Sequence, residues 1–519
     1  MMAIVTKVDA PKRTQSTSRW GPWPIAIFSI GMLCAWFGFF FVAKPLPFFS
    51  YFHDPELTYI LNARQLLADG SVSHTDHPGT ALQMVGSGMH LALGNEVDDM
   101  LHDDVINSFR NAWRWLSLAS AIFLILLASR CFSARPWQLL VALGLLIFDP
   151  NTAFYWTTFT PEGALITLYL PAALLAMMRF CKKGRLHWAE CLGWGLLMGA
   201  LTTLKITFWP LTLFLAFCLL ATREKLDKRA YLAPALFFGA AILTYFPLGS
   251  LFAADREAQW AWFMAMLTNS GRYGSGETGV LPLADILAWA RQGYASQGYF
   301  PLLIIVLCIG LGLMDIIKGK LRARILAVGM MGSASLSYLL FAKHPYQIKY
   351  LLPLAPLFFL YWCARPAGRS STWPALAKLL TIAALTGVGV NALAAYSALH
   401  HFTLLRHEQV LSKINAALNQ LQPEQTYFSH EIQHPLAAKA FAVYGTPYFQ
   451  PQLDKFALHP HRFSERQAGW KLESGHPLPI KELPSGALVF TSGVFIDPRV
   501  QPIFADEKIG LGLCIYVVK

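Results

Sequence analysis

Long apolar runs, broken by short clusters of Lys and Arg, dominate the first four hundred residues. A bilayer core about 30 Å thick is crossed by roughly 20 apolar residues of helix. Runs of that order lie near 22–43, 113–131, 136–150, 161–179, 187–204, 206–222, 230–250, 299–317, 325–341, 347–363 and 373–397. The pattern predicts a polytopic α-helical membrane protein with about eleven transmembrane helices, the tenth interrupted by Pro353 and Pro356. The first run follows Lys7, Lys12, Arg13 and Arg19, is too long for a signal-peptide core and lacks a clear small-residue cleavage site. It reads as an uncleaved anchor.

Arg130 with Arg135, the clusters at 179–185, 223–229 and 318–324, and Arg365 with Arg369 all fall on the side of the N-terminus. By the positive-inside rule that side is the cytoplasm. An odd number of crossings then places the C-terminus outside, and residues 45–112, 251–298 and 400–519 face outward. Residues 1–399 form the expected transmembrane unit. The tail, 400–519, has mixed charge, a helical pattern over 404–418 and strand-like stretches at 487–496 and 511–518. It is long enough for one small extracytoplasmic α/β domain. No internal repeat or inverted symmetry is visible between the halves, which disfavours a secondary transporter.

Composition agrees. The chain is 55% apolar and 14% charged, with a mean hydropathy of +0.41. A soluble protein carries about 25% charged residues, so a water-facing globule is excluded, and disorder with it. Glycine and proline at 37 and 31 of 519 residues exclude collagen-like and low-complexity chains. The net charge of +12 comes from clusters between apolar runs, so it sets topology and does not indicate nucleic acid. Of the cysteines, Cys34, Cys191, Cys218, Cys308 and Cys363 lie within apolar runs, Cys131 and Cys181 at their basic ends, and Cys514 alone in the polar tail. That distribution offers no disulfide framework.

The first outward loop is the richest in chemistry. Asp54-Pro55-Glu56 opens a helical pattern carrying Leu57, Ile60, Leu61 and Leu67 on one side, with Gly70 as its stop. This predicts an amphipathic helix lying in the membrane interface. The run 74–80, His-Thr-Asp-His-Pro-Gly-Thr, follows, and then a second short apolar helix ending near Gly94. Asp54 before Pro-Glu suits an N-cap, and a capping carboxylate at a bilayer rim can also accept a proton. His74, Asp76 and His77 read as metal ligands or, more commonly at such spacing, as a polar turn. Farther along, Lys205 stands at an outward bend between two short helices, where it either snorkels or acts on a ligand. Arg272 and Tyr273 sit in a glycine-rich loop that is either a lid or plain solvent loop. Lys343, His344, Lys349 and Tyr350 form a basic-aromatic bend suited to phosphate or to anchoring at the interface. Glu162 follows Thr160-Pro161, another N-cap signature.

The Tyr-Phe-His-Asp-Pro-Glu cluster at 51–56, then Asp-His-Pro-Gly-Thr at 76–80, resembles the GT-C superfamily of integral-membrane glycosyltransferases. Bacterial transferases of the aminoarabinose, galacturonic acid and mannose kinds are closest. In that superfamily an acidic residue at the start of the first outward loop is the catalytic carboxylate. The resemblance implies that role for Asp54, with Glu56 as the alternative. It implies phosphate binding by Lys205, Arg272, Lys343 and Lys349, aided by Tyr273, His344 and Tyr350. His53, Glu56, Asp76, His77 and Glu162 would shape the sugar or acceptor pocket. The expected donor is a polyprenyl-phosphate sugar, the acceptor an envelope lipid, glycan or protein, and the outcome inversion. The expected location is the bacterial inner membrane. The resemblance fixes no certain cofactor and leaves a divalent cation open. A transporter or flippase of a lipid-linked substrate is the alternative. It would need ionisable residues near helix midpoints, which most runs lack.

Overall fold

The structure is a computed structural model. It describes residues 45–50, 56–73, 79–131, 155–182, 186–223, 228–270, 300–343, 351–365 and 375–421, short segments between 426 and 519, and isolated positions elsewhere. Helices dominate. They are α1 (Glu56–Asp69), α2 (Thr80–Leu93), α3 (Asp103–Cys131), α4 (Pro161–Cys181), α5 (Trp188–Thr202), α6 (Trp209–Leu220), α7 (Leu232–Leu251), α8 (Arg256–Thr268), α9 (Phe300–Lys318), α10 (Leu321–Lys343), α11 (Leu354–Ala364) and α12 (Ala375–Leu421).

Among the described residues, α3, α4, α7 and most of α10 are long and apolar enough to cross a membrane. The expected runs at 187–204, 206–222, 299–317, 347–363 and 373–397 also contain helices. Those at 22–43 and 136–150 fall largely outside the described residues. Local chemistry sets the boundaries. Asp103 and Asp104 open α3 and Arg130 closes it, each complementing the helix dipole. Thr160 caps α4, its Oγ1 accepting from the Gly163 N–H at 3.2 Å, with Pro161 in the first turn. Gly163 is required there, because a Cβ would lie 2.0 Å from the Thr158 carbonyl oxygen. A π-turn at Leu165–Tyr169 follows. Helix α11 starts only after Pro353, so the prolines of the tenth run mark its beginning.

Helices α5 and α7 pack most closely in the bundle. A Cβ on Gly195 would stand 2.3 Å from the Phe237 carbonyl oxygen, and one on Gly199 2.3 Å from that of Ala241. The small-xxx-small pair lets two backbones touch.

The first outward loop departs from expectation. Helix α1 does stop at Gly70 (φ 71°), but it does not lie on a surface: Glu56 to Ala63 and Gln65 are all buried. Its polar side chains find partners inside. Asn62 Nδ2 donates to the Thr58 carbonyl at 3.1 Å, and the Ser73 N–H donates to Asn62 Oδ1 at 3.1 Å and to Gln65 Oε1 at 3.2 Å. The first two turns are therefore buried on every side, and only the last turn, Leu67 to Asp69, is exposed. Helix α2 packs beside it and ends at Gly94, as expected. The segments after α1 and α7 are tied by a parallel bridge, the Val72 N–H donating to the Phe252 carbonyl at 2.7 Å and the Ala254 N–H to that of Val72 at 2.9 Å.

Helix α12 runs unbroken through residues 399 and 400, where the composition changes. Beyond it lies a seven-stranded mixed sheet in the order β4-β3-β2-β1-β5-β7-β6. The strands are β1 (Thr426–Ser429), β2 (Pro460–Ser464), β3 (Gly469–Lys471), β4 (Pro477–Leu478), β5 (Leu488–Thr491), β6 (Val500–Ala505) and β7 (Cys514–Val518). The two stretches read from sequence are β5 and β7, antiparallel neighbours with Leu488 opposite Val517. Val410, Ile414 and Ala417 of α12 pack under Leu488, Phe490 and Ile515. Ala442, Val443, Phe449 and Leu453 join the core of the helical bundle, and Lys439 reaches Asp103 at 2.7 Å. Part of the C-terminal region is thus seated on the helical bundle, at the start of α3.

Candidate functional site

Two ion pairs lie buried where α1 and α2 meet the start of α3, the start of α4 and the end of α5. At the start of α1, Glu56 Oε2 accepts from Arg110 Nε of α3 at 2.7 Å, and Oε1 accepts from the Phe159 N–H at 2.8 Å. The Arg110 and Glu56 side chains are 2% and 1% exposed. The Phe159 ring stands edge-on between Phe109 and Trp113, with centroids at 4.9 and 5.0 Å. Trp113 Nε1 donates to the Thr158 carbonyl at 2.8 Å. The segment leading into α4 is thereby fixed from both sides.

Three residues after Phe159, Glu162 Oε1 accepts from Lys205 Nζ, and each side chain is 1% exposed. Lys205 therefore does not snorkel. It occupies an extended position (φ −163°) between α5 and the short turn leading to α6. A buried charge is tolerated only when paired. Yet the second oxygen of Glu162, Oε2, is buried with no hydrogen-bond partner, and so are both amide atoms of Gln83 on α2. Unsatisfied buried groups are rare in folded proteins and call for an explanation.

Polar seams bind this region to its neighbours. Thr203 Oγ1 accepts from the Ala81 N–H at 3.2 Å, and Thr80 Oγ1 donates to the Leu248 carbonyl at 3.1 Å. The start of α2 is thus pinned to the ends of α5 and α7. Below Lys205, the hydroxyls of Thr202, Thr212 and Tyr169 form a chain with links of 2.8 and 2.7 Å. On the far side of α1, His90 Nε2 meets the Ile60 carbonyl at 3.0 Å, Asn95 Nδ2 meets His90 Nδ1 at 3.0 Å, and Arg64 Nε donates to the Asn95 carbonyl at 2.9 Å. Burial, reinforced by the Arg64 charge and partly offset by the Ile60 carbonyl, lowers the His90 pKa to about 4. The imidazole is neutral at pH 7, so Nε2 donates and Nδ1 accepts.

Of the residues singled out from sequence, Glu56, Glu162 and Lys205 are brought to this one region, though Glu56 and Glu162 belong to separate pairs. Lys343 closes α10. His53, Asp54, Asp76, His77, Arg272, Tyr273, His344, Lys349 and Tyr350 lie outside the described residues. Among the described residues no three His, Cys, Asp or Glu side chains are placed to share a metal ion. An open cleft of about 680 Å³ beside the Val72–Ala253 bridge, lined by Gly70, Ser71 and residues 251–257, includes neither ion pair. Sequence reasoning missed Arg110, Gln83 and His90. Arg110 carried a usable signal: with Arg114 it forms an i, i+4 arginine pair near the outward end of an apolar helix, where the positive-inside rule expects few cations.

No family model matches the chain, and no curated protein or solved structure does either.

Proposed function

We propose that the chain is a polytopic inner-membrane glycosyltransferase of the GT-C kind, with eleven crossings, a cytoplasmic N-terminus and an extracytoplasmic α/β tail. It moves a sugar from a polyprenyl phosphate to an envelope acceptor at the outward face. The observation that carries the reading is the pinning of the first outward loop at two points beside a buried acid–base pair. Glu56 is held to the segment that leads into Glu162, and Ala81 to Thr203, two residues from Lys205. Asp54 and the 76–80 motif adjoin those pins in sequence.

In this reading Asp54 is the base. It takes the proton of the acceptor hydroxyl as that oxygen attacks the sugar carbon, the carbon–oxygen bond to phosphate breaks, and the prenyl phosphate leaves. Glu56 has a donor on each carboxylate oxygen, which suits a positioning residue. That occupancy supports Asp54 over Glu56 as the base. The unpartnered Glu162 Oε2 is an acceptor available to a substrate hydroxyl, and Lys205 beside it supplies positive charge near the departing phosphate. Arg272, Lys343 and Lys349 would complete the phosphate contacts.

The test is transfer from a polyprenyl-phosphate sugar by purified protein, with mass spectrometry of co-purified lipid to identify the donor. Asp54→Asn that folds yet keeps full activity removes Asp54 from the base role. Flipping of a labelled lipid in liposomes, without sugar transfer, replaces the reading with a flippase.

A further inference from the structure

Helices α7 and α8 meet at a tight corner, residues 252–255. Asp255 caps α8, its Oδ1 accepting from the Ala258 N–H at 2.9 Å. Past the corner α8 folds back against the last turns of α7. Phe263 stands edge-on to Tyr245 at 5.9 Å, and Trp260 lies flat on Phe246, with centroids 6.0 Å apart and planes 9° from parallel. Gln259, Phe263 and Met266 are buried, which fixes the opposite side of α8 as the exposed one.

That exposed side changes character along its length. Asp255, Arg256 and Glu257 are exposed at its start. Trp260 and Met264, in the turns that follow, are exposed at 43% and 54%. Large apolar side chains exposed singly are ordinary, and a continuous face of them is not. Here the face is continuous. On α7, Leu243 is 74% exposed and Ile242 36%, and the Phe246–Trp260 stack joins that side to Trp260 and Met264. Helix α7 is long and apolar enough to cross a membrane, and most of its apolar length is not buried in the protein.

The same corner holds the first outward loop. The Val72 N–H donates to the Phe252 carbonyl at 2.7 Å, the Ala254 N–H donates to the Val72 carbonyl at 2.9 Å, and Thr80 Oγ1 donates to the Leu248 carbonyl at 3.1 Å. Val72 lies two residues before the His-Thr-Asp-His-Pro-Gly-Thr run of 74–80, and Thr80 ends it. Both ends of the run are therefore tied to the α7–α8 corner.

We propose that α8 is a membrane-interface helix whose Trp260–Met264 face enters the bilayer hydrocarbon beside α7, so that the corner holds the 74–80 run at the lipid surface. The partner is the acyl region of the bilayer. The face continues that of a helix able to cross a membrane, tryptophan favours the boundary between lipid and water, and no charged residue lies between Glu257 and the end of α8. The charged first turn stays in water. This placement holds whatever chemistry the 74–80 run performs.

The test is photo-cross-linking of the full-length protein in nanodiscs of a phosphatidylcholine with a clickable acyl chain, with benzoylphenylalanine replacing Met264, Leu243 or Glu257 in turn. Lipid attachment is expected at positions 264 and 243, and several-fold less at 257. No lipid adduct at 264 overturns the proposal, as does equal labelling at 257 and 264, or attachment of 264 to a second protein chain. The hold on the loop is read by hydrogen–deuterium exchange in the same nanodiscs. Trp260→Asp should speed exchange of the Val72 and Ala254 amides several-fold, and Trp260→Phe should leave it near the wild-type rate. Unchanged exchange in Trp260→Asp overturns the anchoring role. Where Trp260→Asp fails to fold, the cross-link from position 264 decides.

Discussion

Removing the Lys205 charge while leaving Glu162 in place is the sharpest probe of the buried pair. In Lys205→Met the stem is replaced at similar volume, and Glu162, 1% exposed, loses the donor to Oε1 while Oε2 already has none. A carboxylate stranded in that way costs about 3–5 kcal/mol, a large part of the 5–15 kcal/mol that typically separates folded from unfolded protein. Glu162→Leu takes the carboxylate away from the buried Lys205 ammonium and costs a similar amount. The double variant removes both charges of the pair, so it recovers all but about 1 kcal/mol; against single losses of about 3–5 kcal/mol each, the coupling is roughly 5 kcal/mol or more. The assay is denaturant unfolding of the four proteins in one detergent, followed by tryptophan fluorescence. Single variants as stable as wild type, or a double variant no better than the worse single, would refute the argument that this pair is desolvated and mutually dependent.

Three further outcomes are expected. Protonation of His90 opposes folding: its folded pKa is about 4 against 6.5 when unfolded, so its contribution is complete above pH 6.5 and is lost as pH falls toward 4, by about 3 kcal/mol in total. Melting temperature measured from pH 7.5 to 4.5 should therefore fall less steeply in His90→Gln than in wild type, and equal slopes would count against it. Gly199→Ala places a methyl 2.3 Å from the Ala241 carbonyl oxygen and should cost about 1–3 kcal/mol by overpacking, read as a lowered melting temperature; an unchanged value would show that α5 and α7 are not in backbone contact. Glu56→Gln keeps an acceptor for the Phe159 N–H but strands the Arg110 charge, so limited proteolysis in the segment 155–160 should accelerate several-fold, while unchanged cleavage would mean that Glu56 does not hold that segment.

Punctuation by short-range chemistry was the legible part of this chain. Gly70, Gly94 and Thr160-Pro161 stop and start helices as local rules require, because a cap is settled by residues three or four positions apart. Partners distant in sequence were not legible. Glu56 finds Arg110 across 54 residues and Lys205 finds Glu162 across 43, and no periodicity carries that information. Helix α1 misled for a related reason: Thr58, Asn62 and Gln65 look like a solvent face until Ser73 and the Thr58 carbonyl are seen to satisfy them. Helix α12 crosses a change in composition because residues on both sides of 399 favour helix. Strands β2, β4 and β6 each contain a proline, which weakens the sequence signal for a strand.

The two buried ion pairs are hard to explain by stability alone. Desolvating a charged pair consumes most of what the attraction returns, and apolar side chains of equal volume are often neutral or better. At the basic end of the bundle Asp315 is held by Arg365 at 2.6 Å and by Tyr361 at 2.5 Å, with Arg365 still 28% exposed. Among the described residues, only the Glu56–Arg110 and Glu162–Lys205 pairs have both side chains at 2% exposure or less. Those two also act as one unit: Glu56 fixes Phe159, Phe159 precedes the Thr160 cap, and the cap sets the helical turn that carries Glu162. A ligand group donating to Glu162 Oε2 would therefore be read against a scaffold whose far end is the start of α1. Under the glycosyl-transfer proposal, substitution at Arg110, which pairs with Glu56, is accordingly expected to lower transfer through misplacement of Glu162, with the loss appearing in kcat more than in KM; an unchanged kcat would refute that coupling.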